Sequence, residues 1–297
     1  MKHWTDVKSL REKAWFGFSE EERSTAWLVL LDIIGPSDEH IESSIQQKAL
    51  LYLSSCSQKT QMHSPEVVLS PDSTFKVQKQ IKKDVLRINT SINNEDRSKS
   101  FHRAMELFAR KYAVVGYVQG MCDIFKLFID VHSVSHDLEQ AEALSYFCFV
   151  KIVSNYLDYF SSRQAGIERS IEEIEYLIDK NSPRLFSYLS KLKIEIKYFA
   201  YNWMSTFLFR EFAAHKEVFD AHFSLGPEEF VQFNVSFATG IVIYLQDRLM
   251  KKDFEGVVHT LQNIQSEKWT KSDIEKILSI AFIIYSNGTL FSKGHAK

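Results

Sequence analysis

The amino-acid sequence predicts an all-α fold, and three observations carry that prediction. Turn residues are scarce, with ten Gly and five Pro in 297 residues, whereas sheet-rich folds consume both at their many turns. Apolar residues recur at three- and four-residue spacing along most of the chain, as on a helix buried along one side. The run Val114 to Val118 is β-branched but too short for a convincing strand, and Gly116 interrupts it. With 45% apolar and 13% aromatic residues, 23 of them Phe, the chain can fill one large core or two packed helical subdomains. A disordered chain is excluded by the same composition. A soft boundary is placed near Phe160 to Gly166, which gives an N-terminal subdomain over 1–160 and a C-terminal helical subdomain over 161–297.

Each element follows from a local signal. Ser19 and Glu22 have the spacing of a capping box, and Trp27, Leu30 and Leu31 follow at core-facing positions. Ser54 to Phe75, rich in Ser, Gln, Thr and Pro, reads as one long loop, and a loop of that length is usually functional or mobile. Its two Ser-Pro steps, Ser64-Pro65 and Ser70-Pro71, suit plain turn chemistry better than a phosphorylation site. A second polar loop is expected over Asn89 to Ser100. Phe101, Met105, Phe108 and Tyr112 form one stripe, and Ile167, Ile171, Ile174 and Leu177 form a cleaner one with charge opposite. Gly226-Pro227-Glu228-Glu229 reads as a helix start, with proline and acids in the first turn. Thr270 and Asp273 cap a further stripe, Ile274, Ile277, Leu278 and Ala281.

Several function classes lose support at this level. A net charge of −2 offers no general basic face for a nucleic-acid backbone. Cys56, Cys122 and Cys148 are odd in number and form no CxxC pair, which argues against a disulfide framework or structural zinc and fits a reducing compartment. Met1 to Arg11 lacks an apolar signal core, and the best apolar run, Ile280 to Tyr285, is too short to cross a bilayer. A cytoplasmic protein is expected. The chain contains no G-x-x-x-x-G-K-[ST], G-x-G-x-x-G or G-x-S-x-G pattern. His132 and His136 share a helix face, but two ligands do not make a metal site, and two partly exposed histidines at a helix end is the plainer reading.

Two short segments carry chemistry. In Ile81-Lys82-Lys83-Asp84-Val85-Leu86-Arg87, Ile81, Val85 and Leu86 are placed inward, and Asp84 and Arg87 meet on one helix face. Taken alone this is an ordinary intrahelical ion pair. In Gly116-Tyr117-Val118-Gln119-Gly120-Met121-Cys122-Asp123 a helix is expected to begin near Tyr117, with Gln119 in its first turn. Met121, Ile124, Phe128 and Val131 continue its buried stripe. Gly120 permits either close approach of a partner or a tight helix–helix contact.

Together the segments I-x-x-D-x-x-R and Y-x-Q-G resemble the double signature of the TBC family of Rab GTPase-activating proteins. The resemblance runs from about Leu10 to Asp253, through Leu10-Arg11, Trp15, Gly17, Arg23 and Trp27, then Glu142-Ala143 and Tyr146-Phe147-Cys148-Phe149. Phe199, Trp203, Phe207, Arg210-Glu211-Phe212 and Asp220 extend it. The chain departs from the pattern at Phe18-Ser19, Ile88, Cys122 and Phe219. Of these, Ile88 and Cys122 touch the active motifs. The extra membrane or adaptor domains that many relatives carry are not expected in a sequence of this length.

The resemblance implies a single domain over 1–297, built as packed helical subdomains with a groove between or beside them. It implies that Arg87 and Gln119 enter the active site of a GTP-bound Rab-family GTPase, the arginine stabilising charge on the phosphate and the glutamine orienting water. Asp84, Gly116, Tyr117, Gly120 and Asp123 are the supporting residues. Asp84 is expected to hold Arg87 or its helix end, and Tyr117 to anchor the glutamine turn by packing. Asp123 either braces its helix or is a solvated acid. The chain would have no independent active site and no cofactor of its own, since GTP and Mg²⁺ belong to the partner. The partner would regulate vesicle traffic and recruit the chain peripherally to endomembranes. The alternative is a non-catalytic helical module that binds a GTPase or another protein.

Overall fold

The computed structural model describes residues 6–36, 40–57, 71–89 and 95–292. Every regular element among them is helical, as the spacing of apolar residues requires. The chain divides into two compact units, Met1–Ser162 and Arg163–Lys297.

The first unit contains α1 (Val7–Ala14), α2 (Glu20–Leu30), α3 (Ile41–Ser57), α4 (Pro71–Asn89), α5 (Glu95–Lys111), α6 (Met121–His132) and α7 (Leu138–Asn155). The capping box is formed at α2: Ser19 Oγ accepts from the Glu22 backbone N–H at 3.3 Å, and Glu22 accepts from the Ser19 N–H at 3.4 Å. Such reciprocal bonds satisfy donors that the helix itself leaves open. Helix α6 is the apolar axis, with Met121, Ile124, Phe125 and Phe128 all buried, and it packs against α2, α4, α5 and α7. Trp27 meets Phe128 edge-on at 5.9 Å, Phe101 meets Phe125 at 5.1 Å and Phe108 meets Phe149 at 5.0 Å. Such edge-to-face pairs add about 0.5–1.5 kcal/mol each beyond the area they bury.

The second unit contains α8 (Ala165–Asn181), α9 (Pro183–Lys191), α10 (Lys197–Ser205), α11 (Lys216–Ser224), α12 (Phe230–Tyr244), α13 (Gln246–Leu249), α14 (Phe254–Gln262) and α15 (Lys271–Ser292). Helix α12 is apolar nearly all round, and it packs against α8, α11 and α15. A Cβ on Gly240 would come within 3.1 Å of the Ile277 carbonyl oxygen, so the small residue sets how closely α12 and α15 approach. The Thr270–Asp273 cap forms, with Asp273 Oδ2 accepting from the Thr270 N–H at 2.8 Å, and Ile274, Ile277, Leu278 and Ala281 are buried behind it.

Several expectations are corrected. The Ser54 to Phe75 loop is shorter at both ends: Ser54–Ser57 belong to α3, and 71–75 belong to α4. The Ser54, Ser55 and Ser57 hydroxyls donate back to Leu51 and Leu53 carbonyls, which lets serines sit in a helix. Pro71 stands at the first helical position, where its missing N–H costs nothing. Asn89 and residues 95–100 of the second expected loop are likewise helical. The two Ser-Pro serines lie outside the described residues. Helix α12 begins at Phe230, and Pro227–Glu229 form the turn that leads into it. Leu86 faces outward, 58% exposed, because it lies about a quarter turn from Val85. His132 is fully buried. Its ring bridges Ser24 Oγ at 2.8 Å and Cys148 Sγ at 3.5 Å, and His136 reaches the same Ser24 hydroxyl at 3.0 Å. These contacts pin α2, α6 and α7 together. No group of potential metal ligands is found among the described residues.

Candidate functional site

The site is built from the C-terminal half of α4 and the turn that opens α6. Ile81, Val85 and Ile88 bury one side of α4, and Asp84 lies buried on its flank, turned toward the α6 turn. Asp84 is 3% exposed, whereas the Arg87 side chain is 43% exposed. Residues three apart share a face, yet Arg87 stands 4.0 Å from Asp84 and much closer, 2.6 Å, to Asp123 Oδ2 on α6. The intrahelical pair expected from spacing is therefore secondary to a contact between helices.

Asp84 is occupied elsewhere. Its Oδ2 accepts from the Tyr117 hydroxyl at 2.6 Å and from the Gly120 backbone N–H at 3.3 Å. Both donors flank Gln119. Burial, reinforced by the neighbouring Asp84 carboxylate, pushes the Tyr117 phenol far above its ordinary value, so it stays a donor. Cys122 Sγ lies 3.1 Å from the same hydroxyl, and burial pushes its thiol up to about 12. Cys122 and Ile88, the two departures at the motifs, are both buried.

The turn itself depends on two glycines. Gly116 has φ of 66° and Gly120 has φ of 101°, conformations that side-chain-bearing residues seldom adopt. A left-handed residue cannot continue an α-helix, so α6 starts at Met121 rather than near Tyr117. Gln119 consequently sits in the turn ahead of the helix, exposed, with the Gly120 backbone buried behind it. Asp123 lies in the first turn of α6 and is 8% exposed. It is not a solvated acid: it is nearly buried, and its carboxylate receives the Arg87 guanidinium.

The two segments are thus cross-linked. The acid of the first holds the turn that bears Gln119, and the acid of the second holds Arg87. Sequence spacing pointed to Asp84 as the partner of Arg87. Separation along the chain conceals the exchange, because both contacts join residues more than thirty positions apart. Chemically, the arrangement presents one half-exposed guanidinium and one exposed amide, both set by buried carboxylates.

An all-helical domain with these paired segments defines a class, and comparison with known proteins agrees. The family model for the Rab-GTPase-TBC domain matches residues 20–250, and the chain belongs to that family. It is similar to the GTPase-activating protein gyp1 of Schizosaccharomyces pombe, with 26% identity over 94% of this chain and 58% of that protein. It is also 25% identical to human TBC1 domain family member 22B, over 94% of this chain and 58% of the relative. The chain therefore spans 58% of the length of these curated relatives. The crystal structure of the Ypt/Rab-GAP domain of Gyp1p superposes with a TM-score of 0.82 at 24% identity, covering 97% of this chain and 95% of that one. A Chlamydomonas flagellar RabGAP TBC domain superposes with a TM-score of 0.65 at 16% identity, over 95% of this chain and 86% of that one. No helix among the described residues is long and apolar enough to cross a membrane.

Proposed function

We propose that this chain accelerates GTP hydrolysis by a Rab-family small GTPase, with Arg87 and Gln119 supplied to the partner's nucleotide pocket. The observation that supports it is the cross-linking of the two motif segments, which leaves the arginine half-exposed and the glutamine exposed while burying the acids that hold them. Phosphoryl transfer needs a positioned water and stabilisation of charge on phosphate oxygens more than it needs covalent chemistry. A guanidinium suits the second task because its planar fork stays charged and donates several hydrogen bonds. In this reading Arg87 neutralises the developing charge and Gln119 orients the attacking water. Tyr117, Gly120 and Asp84 position the glutamine turn, Gly116 admits the turn's geometry, and Asp123 positions Arg87. GTP and Mg²⁺ belong to the partner, the outcome regulates vesicle traffic, and membrane association comes through that partner.

Magnitudes favour transfer of Arg87 from Asp123 to a phosphate. Solvent reaches the half-exposed Arg87 end of its pair with the buried Asp123, which keeps the pair to about 1 kcal/mol. An arginine finger contributes roughly 10³–10⁵ in rate, or about 4–7 kcal/mol of barrier. The test is single-turnover hydrolysis by a panel of GTP-loaded Rab-family GTPases, with the wild-type chain, Arg87→Ala and Gln119→Ala. At least one GTPase is expected to respond to wild type. Arg87→Ala should remove roughly 10³-fold of that response, with circular dichroism unchanged. Equal rates with wild type and Arg87→Ala across the panel would overturn the proposal in favour of a binding module.

A further inference from the structure

The outer face of α4 carries a second feature that the two motifs do not use. Lys76, Lys79 and Lys83 follow one another toward Arg87 at intervals of three, four and four residues, the spacing of one helix face, and Lys82 flanks them. All four lysines are exposed. Among the described residues no ion pair joins any of them to an acid. At about 1.5 Å per residue the line runs roughly 16 Å along α4 and ends at the guanidinium. The whole chain has a net charge of −2, so this is a local concentration of positive charge and not a property of the surface at large.

We propose that this lysine stripe is a docking surface for an acidic face of the GTP-loaded GTPase, bordering the pocket that Arg87 enters. The inference rests on the activator reading of Arg87 and adds the surface that delivers it. Stripe and finger share one rigid helix, so whatever covers the stripe is the body whose phosphates the arginine meets. A cationic line leading to a guanidinium raises the rate of productive encounter with a partner that holds a triphosphate. A bilayer is the poorer occupant. Surface-lying helices bury a continuous apolar face in lipid, whereas Ile81, Val85 and Ile88, the apolar face of α4, are turned into the core. Among the described residues of α4, the large apolar side chains on its exposed side are Phe75 and Leu86.

The test uses the full chain carrying Lys76→Glu, Lys79→Glu and Lys83→Glu together, with Lys79→Glu alone as a milder variant. Stimulated hydrolysis by the responding GTPase is measured free in solution and with the GTPase on anionic vesicles, at low and high salt, over a range of activator concentrations. The triple variant is expected to lose about 10–100-fold in kcat/KM at low salt, with a smaller loss at high salt. Its kcat at saturation should be unchanged, and the single variant should lie between. Unchanged kcat/KM, a loss independent of salt, or a loss seen only when the GTPase is presented on anionic vesicles would each overturn the proposal, the last by assigning the stripe to lipid. If wild type accelerates no GTPase, the catalytic reading fails on its own. The stripe is then judged by equilibrium binding to GTP-loaded GTPases: salt-sensitive binding lost in the triple variant upholds it, and no binding overturns it.

Discussion

At the residue scale, the decisive question is which acid serves which polar side chain. Asp123 contacts Arg87 at 2.6 Å, while Asp84 accepts from Tyr117 and Gly120 around Gln119. If each acid works through its partner, its removal costs nothing once the partner is gone, which a double-mutant cycle detects. Asp123→Ala is expected to slow stimulated hydrolysis about 10-fold, about one hydrogen-bonded contact's worth of positioning. In the Arg87→Ala background it should have no further effect. Tyr117→Phe should likewise leave the rate unchanged when added to Gln119→Ala. Alone it should destabilise the fold by about 1.5 kcal/mol, since it removes a part-buried bond to a charged acceptor. Single-turnover rates and urea midpoints check both pairs; additive losses would mean that the acids support the fold in general and not these two side chains.

At the scale of elements, the glutamine turn exists because two glycines reverse the chain between α5 and α6. Gly120 caps α6 at φ of 101° and offers its N–H to Asp84. Gly120→Ala must strain that backbone, at about 1–3 kcal/mol. It should also let α6 extend toward Gln119. The expected result is a lower thermal midpoint together with a lower kcat, measured by melting and by stimulated hydrolysis. A Cβ on Gly116 would meet nothing within 4 Å, so Gly116→Ala is opposed only by the φ of 66°, and a loss of roughly 1–2 kcal/mol is expected. A substitution at Gly120 that leaves kcat intact would separate the turn from the activity.

At the scale of the whole molecule, buried histidines couple stability to pH in each compact unit. Burial lowers His132 to about 3, with the charge of His136 adding, and burial lowers His222 to about 4 despite its bond to the Val218 carbonyl. An unfolded histidine titrates near 6.5. Between these values the unfolded chain binds protons more readily than the folded one, so stability falls as pH falls. The loss begins near pH 6.5 and reaches about 2 kcal/mol per histidine at pH 5. Urea midpoints measured from pH 7 to pH 5 should therefore decline in both units. A flat profile over that window would mean that neither ring is held neutral by the fold.

What the sequence determined by itself was whatever depends on neighbours along the chain. Periodicity placed Phe101, Met105 and Phe108 in the core, and local spacing revealed the Ser19–Glu22 and Thr270–Asp273 caps. The lysine face at 76, 79 and 83 emerges only once α4 is seen to begin at Pro71. Tertiary structure alone decided which helix each polar group faces. Hence Arg87 lies closer to Asp123 than to Asp84, His132 was buried between Ser24 and Cys148, and Leu86 turned outward beside a buried Val85. Helix period constrains residues within one turn of each other. Contacts between α4 and α6 depend on how two helices pack, and nothing in either segment's spacing specifies that.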